Sequence, residues 1–126
     1  MIFGIGTDIV RIKRMQENIE KFGNKFAERI LSEEELKEYH RYSEPSRLLA
    51  KRFAAKEATS KAMGTGFRNG ISLKQIFITH DKLGKPLLNF ADKAKDFMDS
   101  HGVKESHVSI SDEKEYAVAY VTLVKG

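Results

Sequence analysis

The chain has 126 residues, 40% hydrophobic and 32% charged, a balance that suits one globular domain over 1–126 and excludes collagen-like or strongly disordered classes. It has no cysteine, which removes disulfides, thiolate zinc sites and cysteine nucleophiles, and no apolar run approaching the ~20 residues that cross a bilayer, so no membrane role is expected. Its net charge of +4 is uneven: Arg11, Lys13, Arg14, Lys21 and Lys25 form one basic stretch and seven basic residues between 41 and 68 another, with acidic Glu33, Glu34, Glu35 and Glu38 between them; such a surface suits nucleic acid, an acidic protein or a phosphorylated small molecule.

The opening MIFGIGTDIV lacks the basic, apolar and small-residue succession of a signal peptide, so a cytoplasmic protein is expected. IFGIGTD reads as a short strand ending at Asp8, with Gly4, Gly6 and Asp8 on one face and Phe3 and Ile5 on the other. The two glycines let another backbone or a ligand come close to that face. Ile12, Met15, Ile19, Phe22 and Phe26 then recur at spacings of three and four, an amphipathic helix interrupted at Gly23 and Asn24. Ser32 with Glu35 forms a capping box, so a second helix starts near Glu33 and ends at Ser43, Glu44 and Pro45. A longer helix is expected over about 46–63, burying Leu48, Leu49, Phe53 and some of its alanines, with Gly64 as a left-handed C-cap. QIFIT and PLLNF flank the turn DKLGK as a hairpin, ADKAKDFMDSHG is a short helix closed by Gly102, and HVSIS and YAVAYVTLV are two final strands joined through DEKE. Segregated helices and strands predict an α+β fold with a largely antiparallel sheet.

The chemistry concentrates in the long helix. Glu57 and Lys61 are four apart and share a face, with Ser60 beside them and Phe53 one turn earlier. A carboxylate and an ammonium so placed can hold a metal ion and a phosphate together. With the carboxylate of Asp8 they suggest a magnesium site for a diphosphate substrate, because magnesium takes one or two carboxylates and completes its shell with water and phosphate oxygens. A nucleic-acid module, the rival suggested by the basic charge, leaves the Asp8 and Glu57 pair without a purpose, and no binding motif or tryptophan supports it.

Two motifs sharpen this reading. Ile5, Gly6, Thr7 and Asp8 form one; the run from Phe53 through Ala54, Ala55, Lys56, Glu57, Ala58, Thr59 and Ser60 to Lys61 forms the other, followed by Ala62, Met63, Gly64, Thr65 and Gly66. With the late segment His107, Val108, Ser109, Ile110 and Ser111, they make the chain resemble, nearly end to end, the holo-acyl-carrier-protein synthases, the small bacterial type of 4'-phosphopantetheinyl transferase. One departure is Asp112, where many relatives carry a second histidine.

The resemblance implies transfer of the phosphopantetheine arm from coenzyme A to a serine hydroxyl of apo acyl carrier protein, with release of 3',5'-ADP, in fatty acid biosynthesis. It implies Mg²⁺ held by Asp8 and Glu57, with Lys61 on the diphosphate, and Arg52, Ser60, Lys61, Gly64 and His107 as contacts for coenzyme A. It also implies a homotrimer with sites at the subunit boundaries. The serine oxygen must approach phosphorus through the negative charge of a diphosphate, so positioning and electrostatic stabilisation dominate such chemistry. The acceptor of the serine proton is open between Glu57 acting through a water and a hydroxide on the metal. Acyl carrier proteins are small and acidic, so Arg11, Lys13, Arg14 and Lys21 are the expected docking residues, with Met15 a candidate apolar contact.

Overall fold

In the computed structural model, which describes all 126 residues, the two ends of the chain lie side by side in one sheet. Strand β1 (Ile2–Arg11) leads into helices α1 (Ile12–Phe22), α2 (Asn24–Ile30), α3 (Glu33–Arg41) and α4 (Pro45–Met63). A 3-10 turn (Leu73–Gln75) precedes β2 (Ile76–His80) and β3 (Pro86–Phe90), and α5 (Asp92–Ser100) connects to β4 (Val103–Asp112) and β5 (Tyr116–Lys125). Strand β5 pairs antiparallel with β1 on one side and β4 on the other, while β2 and β3 form a separate antiparallel hairpin. The architecture is the α+β, antiparallel one expected, divided into two small sheets.

Local signals account for most boundaries. The capping box is complete: Glu35 N–H donates to Ser32 Oγ at 3.3 Å, and Ser32 N–H donates to Glu35 Oε1 at 2.9 Å. Gly64 stops α4 in the left-handed region (φ 80°), and Gly23 (φ 65°) separates α1 from α2. The first strand runs past Asp8, because Ile9, Val10 and Arg11 continue the ladder opposite Val118, Ala117 and Tyr116; Asp8 therefore sits mid-strand rather than at its end. Phe3 does not share a face with Ile5. A bulge between Ile2 and Gly4 turns it towards α5, where its ring meets Phe97 and His101 edge-on.

Helix α4 crosses the inner face of the three-stranded sheet. On β1 that face carries Gly4, Gly6, Asp8 and Val10, opposite the fully buried Leu123, Val121, Ala119 and Ala117 of β5. A Cβ at Gly4 would overlap the carbonyl oxygen of Ala62, and one at Gly6 that of Ala58. The glycines are therefore there for close approach: they let the backbone of α4, itself lined with the buried Ala54, Ala55, Ala58 and Ala62, lie directly on the strand. Most of α4 is buried, and its open stripe is Phe53, Glu57, Lys61 and Gly64, three or four residues apart.

Candidate active site

The open stripe of α4 meets Asp8 because of the packing just described. Gly6 touches the helix at Ala58, and Asp8, two residues further along the same strand face, is carried to the helix edge where Glu57 and Lys61 project. Lys61 Nζ donates to Asp8 Oδ1 at 3.0 Å and to the backbone carbonyl of Thr7, also at 3.0 Å. Asp8 keeps 17% of its side-chain surface and Lys61 55%, so the ammonium stays open to an incoming ligand. Burial, and secondly the like charge of Asp8, push the Glu57 carboxyl above its ordinary value, while Lys61 and Arg14 pull it down. A groove of about 300 Å³ lined by Ile5, Gly6, Thr7, Lys61 and Tyr120 opens beside the ammonium.

Two carboxylates whose charges oppose each other are an arrangement that a divalent cation relieves. No third histidine, aspartate or glutamate joins them. Such a donor set fits magnesium with a phosphate-bearing substrate, which needs only one or two protein carboxylates.

The remaining expected ligand contacts are placed differently. Gly64 is one turn beyond Lys61, exposed, with its N–H donating to the carbonyls of Ser60 and Lys61. Ser60 is turned inward, its hydroxyl donating to the Glu57 carbonyl at 2.8 Å. Arg52 is only 3% exposed and lies on the α3 side of α4, with Nη1 3.4 Å from Glu35 Oε2 and Nη2 3.0 Å from Glu38 Oε2. His107 is on the outer face of the sheet, in a row with Thr122 and Ile5, its Nε2 3.3 Å from Glu105 Oε2. Within one chain the structure thus unites Asp8, Glu57 and Lys61, and separates Arg52, Ser60 and His107 from them. Asp112 has its own role: it accepts from Arg47 Nη1 at 2.8 Å, and the same nitrogen donates to the Glu113 carbonyl, which ties the β4–β5 turn to the start of α4.

Arg14 is the residue that periodicity alone did not bring here. Its guanidinium lies 5.7 Å from the centre of the Phe53 ring, one turn from Glu57 on the open stripe. Lys13 and Lys21 are exposed along the same helix and Arg11 at the end of β1 just before it, so the basic surface runs to the rim of the carboxylate site. Met15 is fully buried and offers a partner no contact area; Phe22, expected in the core, is 49% exposed with Lys21 over its ring.

The model of the 4'-phosphopantetheinyl transferase superfamily matches residues 4–121. The chain is 53% identical over 125 residues to the holo-[acyl-carrier-protein] synthase of Hamiltonella defensa, covering 99% of this chain and 98% of that one. Its fold superimposes on the crystal structure of holo-[acyl-carrier-protein] synthase from Neisseria meningitidis with a TM-score of 0.95, at 46% identity, covering 99% and 100% of the two chains. A Bacillus anthracis holo-(acyl-carrier-protein) synthase in complex with CoA (3',5'-ADP) matches at a TM-score of 0.84 and 38% identity, covering 100% and 99%.

Proposed function

The chain belongs to the 4'-phosphopantetheinyl transferase superfamily, and on that footing we propose that it is a holo-acyl-carrier-protein synthase, which moves 4'-phosphopantetheine from coenzyme A to a serine hydroxyl of apo acyl carrier protein. The serine oxygen forms a bond to the β-phosphorus of coenzyme A, and the bond from that phosphorus to the bridging oxygen breaks, leaving 3',5'-ADP. The observation that carries this reading is the meeting of Asp8, Glu57 and Lys61 across the glycine-lined contact of β1 with α4.

Each side chain has a task in that reaction. Lys61, held by Asp8 and the Thr7 carbonyl yet more than half exposed, meets the diphosphate and offsets charge growing on the departing oxygen. Asp8 and Glu57 are the residues that would hold Mg²⁺, which when bound supplies positive charge to the diphosphate. Glu57 reaches the serine proton through a water; its carboxyl, raised by burial and by Asp8 in the cation-free protein, would fall once a cation sat between the two carboxylates. Gly64, one turn from Lys61, leaves room for the nucleotide at the helix end.

The partner surfaces follow from charge and exposure. Arg11, Lys13, Arg14 and Lys21, with Phe22 as the apolar contact in place of Met15, dock the acidic carrier and bring its serine to the site rim. The outer sheet face leaves Ile5, Ile9, Val118 and Tyr120 exposed, which supports association into a homotrimer. His107 lies on that face, where it is available to a nucleotide bound by a neighbouring protomer; Arg52 and Ser60 reach coenzyme A only if their present partners release them. No helix is long and apolar enough to cross a membrane, and we place the reaction in the cytoplasm, supplying holo carrier for fatty acid synthesis.

The test is mass spectrometry of an apo carrier incubated with the protein, coenzyme A and magnesium. One added phosphopantetheine, absent with EDTA and with Glu57→Ala, is expected. No gain with several folded carriers would overturn the reading.

A further inference from the structure

Helix α4 carries a second charged feature, buried on the side away from the open stripe. Lys56, next in sequence to Glu57, is fully buried, yet its ammonium has three partners for its three protons: the Ile30 carbonyl at 2.7 Å, Glu35 Oε1 at 2.6 Å and the Leu73 carbonyl at 3.1 Å. These come from the last turn of α2, from α3 and from the 3-10 turn. Glu35, 2% exposed, is equally saturated: Oε1 also accepts from Ser32 N–H, and Oε2 accepts from Ile78 N–H at 3.1 Å and faces Arg52 at 3.4 Å. Lys56 therefore has no donor left for a ligand, although it stands inside the motif that supplies Glu57 and Lys61.

The opposite contact of α4 explains what such a cage is for. Where the helix lies on β1, Gly4 and Gly6 meet the backbone of Ala62 and Ala58, so that contact fixes the distance between strand and helix, and on the other side of α4 the directional hydrogen bonds of the Lys56 cage constrain the rotation of the helix about its axis. A carboxylate lies roughly 6 Å from the axis, so a rotation of about 10° moves it by about 1 Å. Displacements of that size at a reacting centre cost about 100-fold in rate.

Resting on the function proposed above, we infer that Lys56 is a positioning residue: its ammonium, caged by Glu35, Ile30 and Leu73, fixes the rotation of α4 and so holds Glu57 and Lys61 opposite Asp8. Burial lowers the Lys56 pKa, and Glu35 opposes that shift.

The test compares Lys56→Met with the double variant Glu35→Gln/Lys56→Met, which leaves no uncompensated carboxylate in the core. For Lys56→Met, kcat should fall about 100-fold with KM for coenzyme A within about threefold of the wild-type value. The double variant should regain thermal stability but not kcat. Should Lys56→Met not fold, Lys56→Gln takes its place in the same comparison. Crystal structures supply a readout independent of turnover: the Glu57 carboxylate should stand about 1 Å or more from its native position relative to Asp8. A double variant whose kcat returns to within threefold of wild type, or a folded variant with α4 in its native orientation, overturns the inference. Wild-type protein that modifies no carrier overturns instead the reading of function, and the crystal structures then judge the anchor alone.

Discussion

Replacing Gly6 by alanine tests the link between packing and catalysis, because the site exists only where β1 and α4 touch. The new methyl group would overlap the Ala58 carbonyl oxygen and stand 2.8 Å from Ala62 N. Both are helix backbone atoms, so no side chain can swing aside. Packed heavy atoms rest at about 3.5–4.0 Å, and relief therefore requires strand and helix to separate by roughly 1.5–2 Å. Overpacking of this kind costs about 1–3 kcal/mol, and at about 3–6 °C per kcal/mol for a domain of this length Tm should fall by about 3–18 °C. The same separation carries Asp8 away from Glu57 and Lys61, so kcat should fall about 100-fold in protein that is still folded. Gly4→Ala is the informative comparison. It meets the Ala62 carbonyl, further from Asp8, and should cost similar stability with a smaller loss of kcat. Thermal unfolding and steady-state phosphopantetheine transfer, both below the lowered Tm, measure the two effects. A Gly6→Ala protein with Tm within 2 °C (about 0.5 kcal/mol) and kcat within threefold of wild type would refute the reasoning.

Glu57 gives a pH dependence with a definite sign. Its carboxyl is raised by burial and by Asp8, so its charged form is disfavoured in the folded protein; its contribution to stability is present at low pH and is lost as pH rises through the raised value. Glu57→Gln should therefore raise the Tm of the metal-free protein at neutral pH, by an amount that shrinks as pH falls, and should abolish transfer, as is expected of Glu57→Ala; a Tm gain that grows on acidification contradicts this. Arg14→Glu/Lys21→Glu should raise KM for the carrier about tenfold or more at low salt, with a smaller effect at high salt, and an unchanged KM at low salt removes the docking model. Tyr120→Asp on the outer sheet face should shift the protein to monomers in light scattering, whereas an unaltered mass means that this face is not the assembly surface.

The meeting of Asp8, Glu57 and Lys61 was legible because two periodicities are independent of tertiary detail. A strand repeats every two residues, which put Asp8 on the glycine face, and a helix nearly repeats every four, which put Glu57 and Lys61 together. The capping box and Gly64 set helix boundaries through local hydrogen bonds and backbone conformation, and those signals also survive without knowledge of the fold. The faces of α4 were not legible. A helix buried on most sides has almost no amphipathic contrast, so although helical geometry sets Lys56 about 100° from Glu57, nothing in the pattern showed that Arg52 and Lys56 both turn to Glu35. Ser60 was ambiguous for a related reason, since a hydroxyl that can bond a carbonyl of its own helix need not face a ligand. On α1 the exchange of Met15 for Phe22 as the exposed apolar residue depends on where α1 ends against α4, a tertiary fact that spacing does not contain.

The pairing of β1 with β5 also dictates when this protein can become itself. Gly4 finds its partner in Leu123, and Asp8 in Ala119, so the strand bearing the first carboxylate stays unpaired until nearly the whole chain has been made. At about 5–20 residues per second that interval is several seconds to some twenty seconds of synthesis, during which helices can form locally but the sheet cannot. Topologies dominated by such distant pairings fold slowly, on the order of milliseconds to seconds. A ribosome-bound chain ending before residue 117 would therefore hold Glu57 and Lys61 on a helix while β1, and Asp8 with it, still lacked the partner strand that orders it.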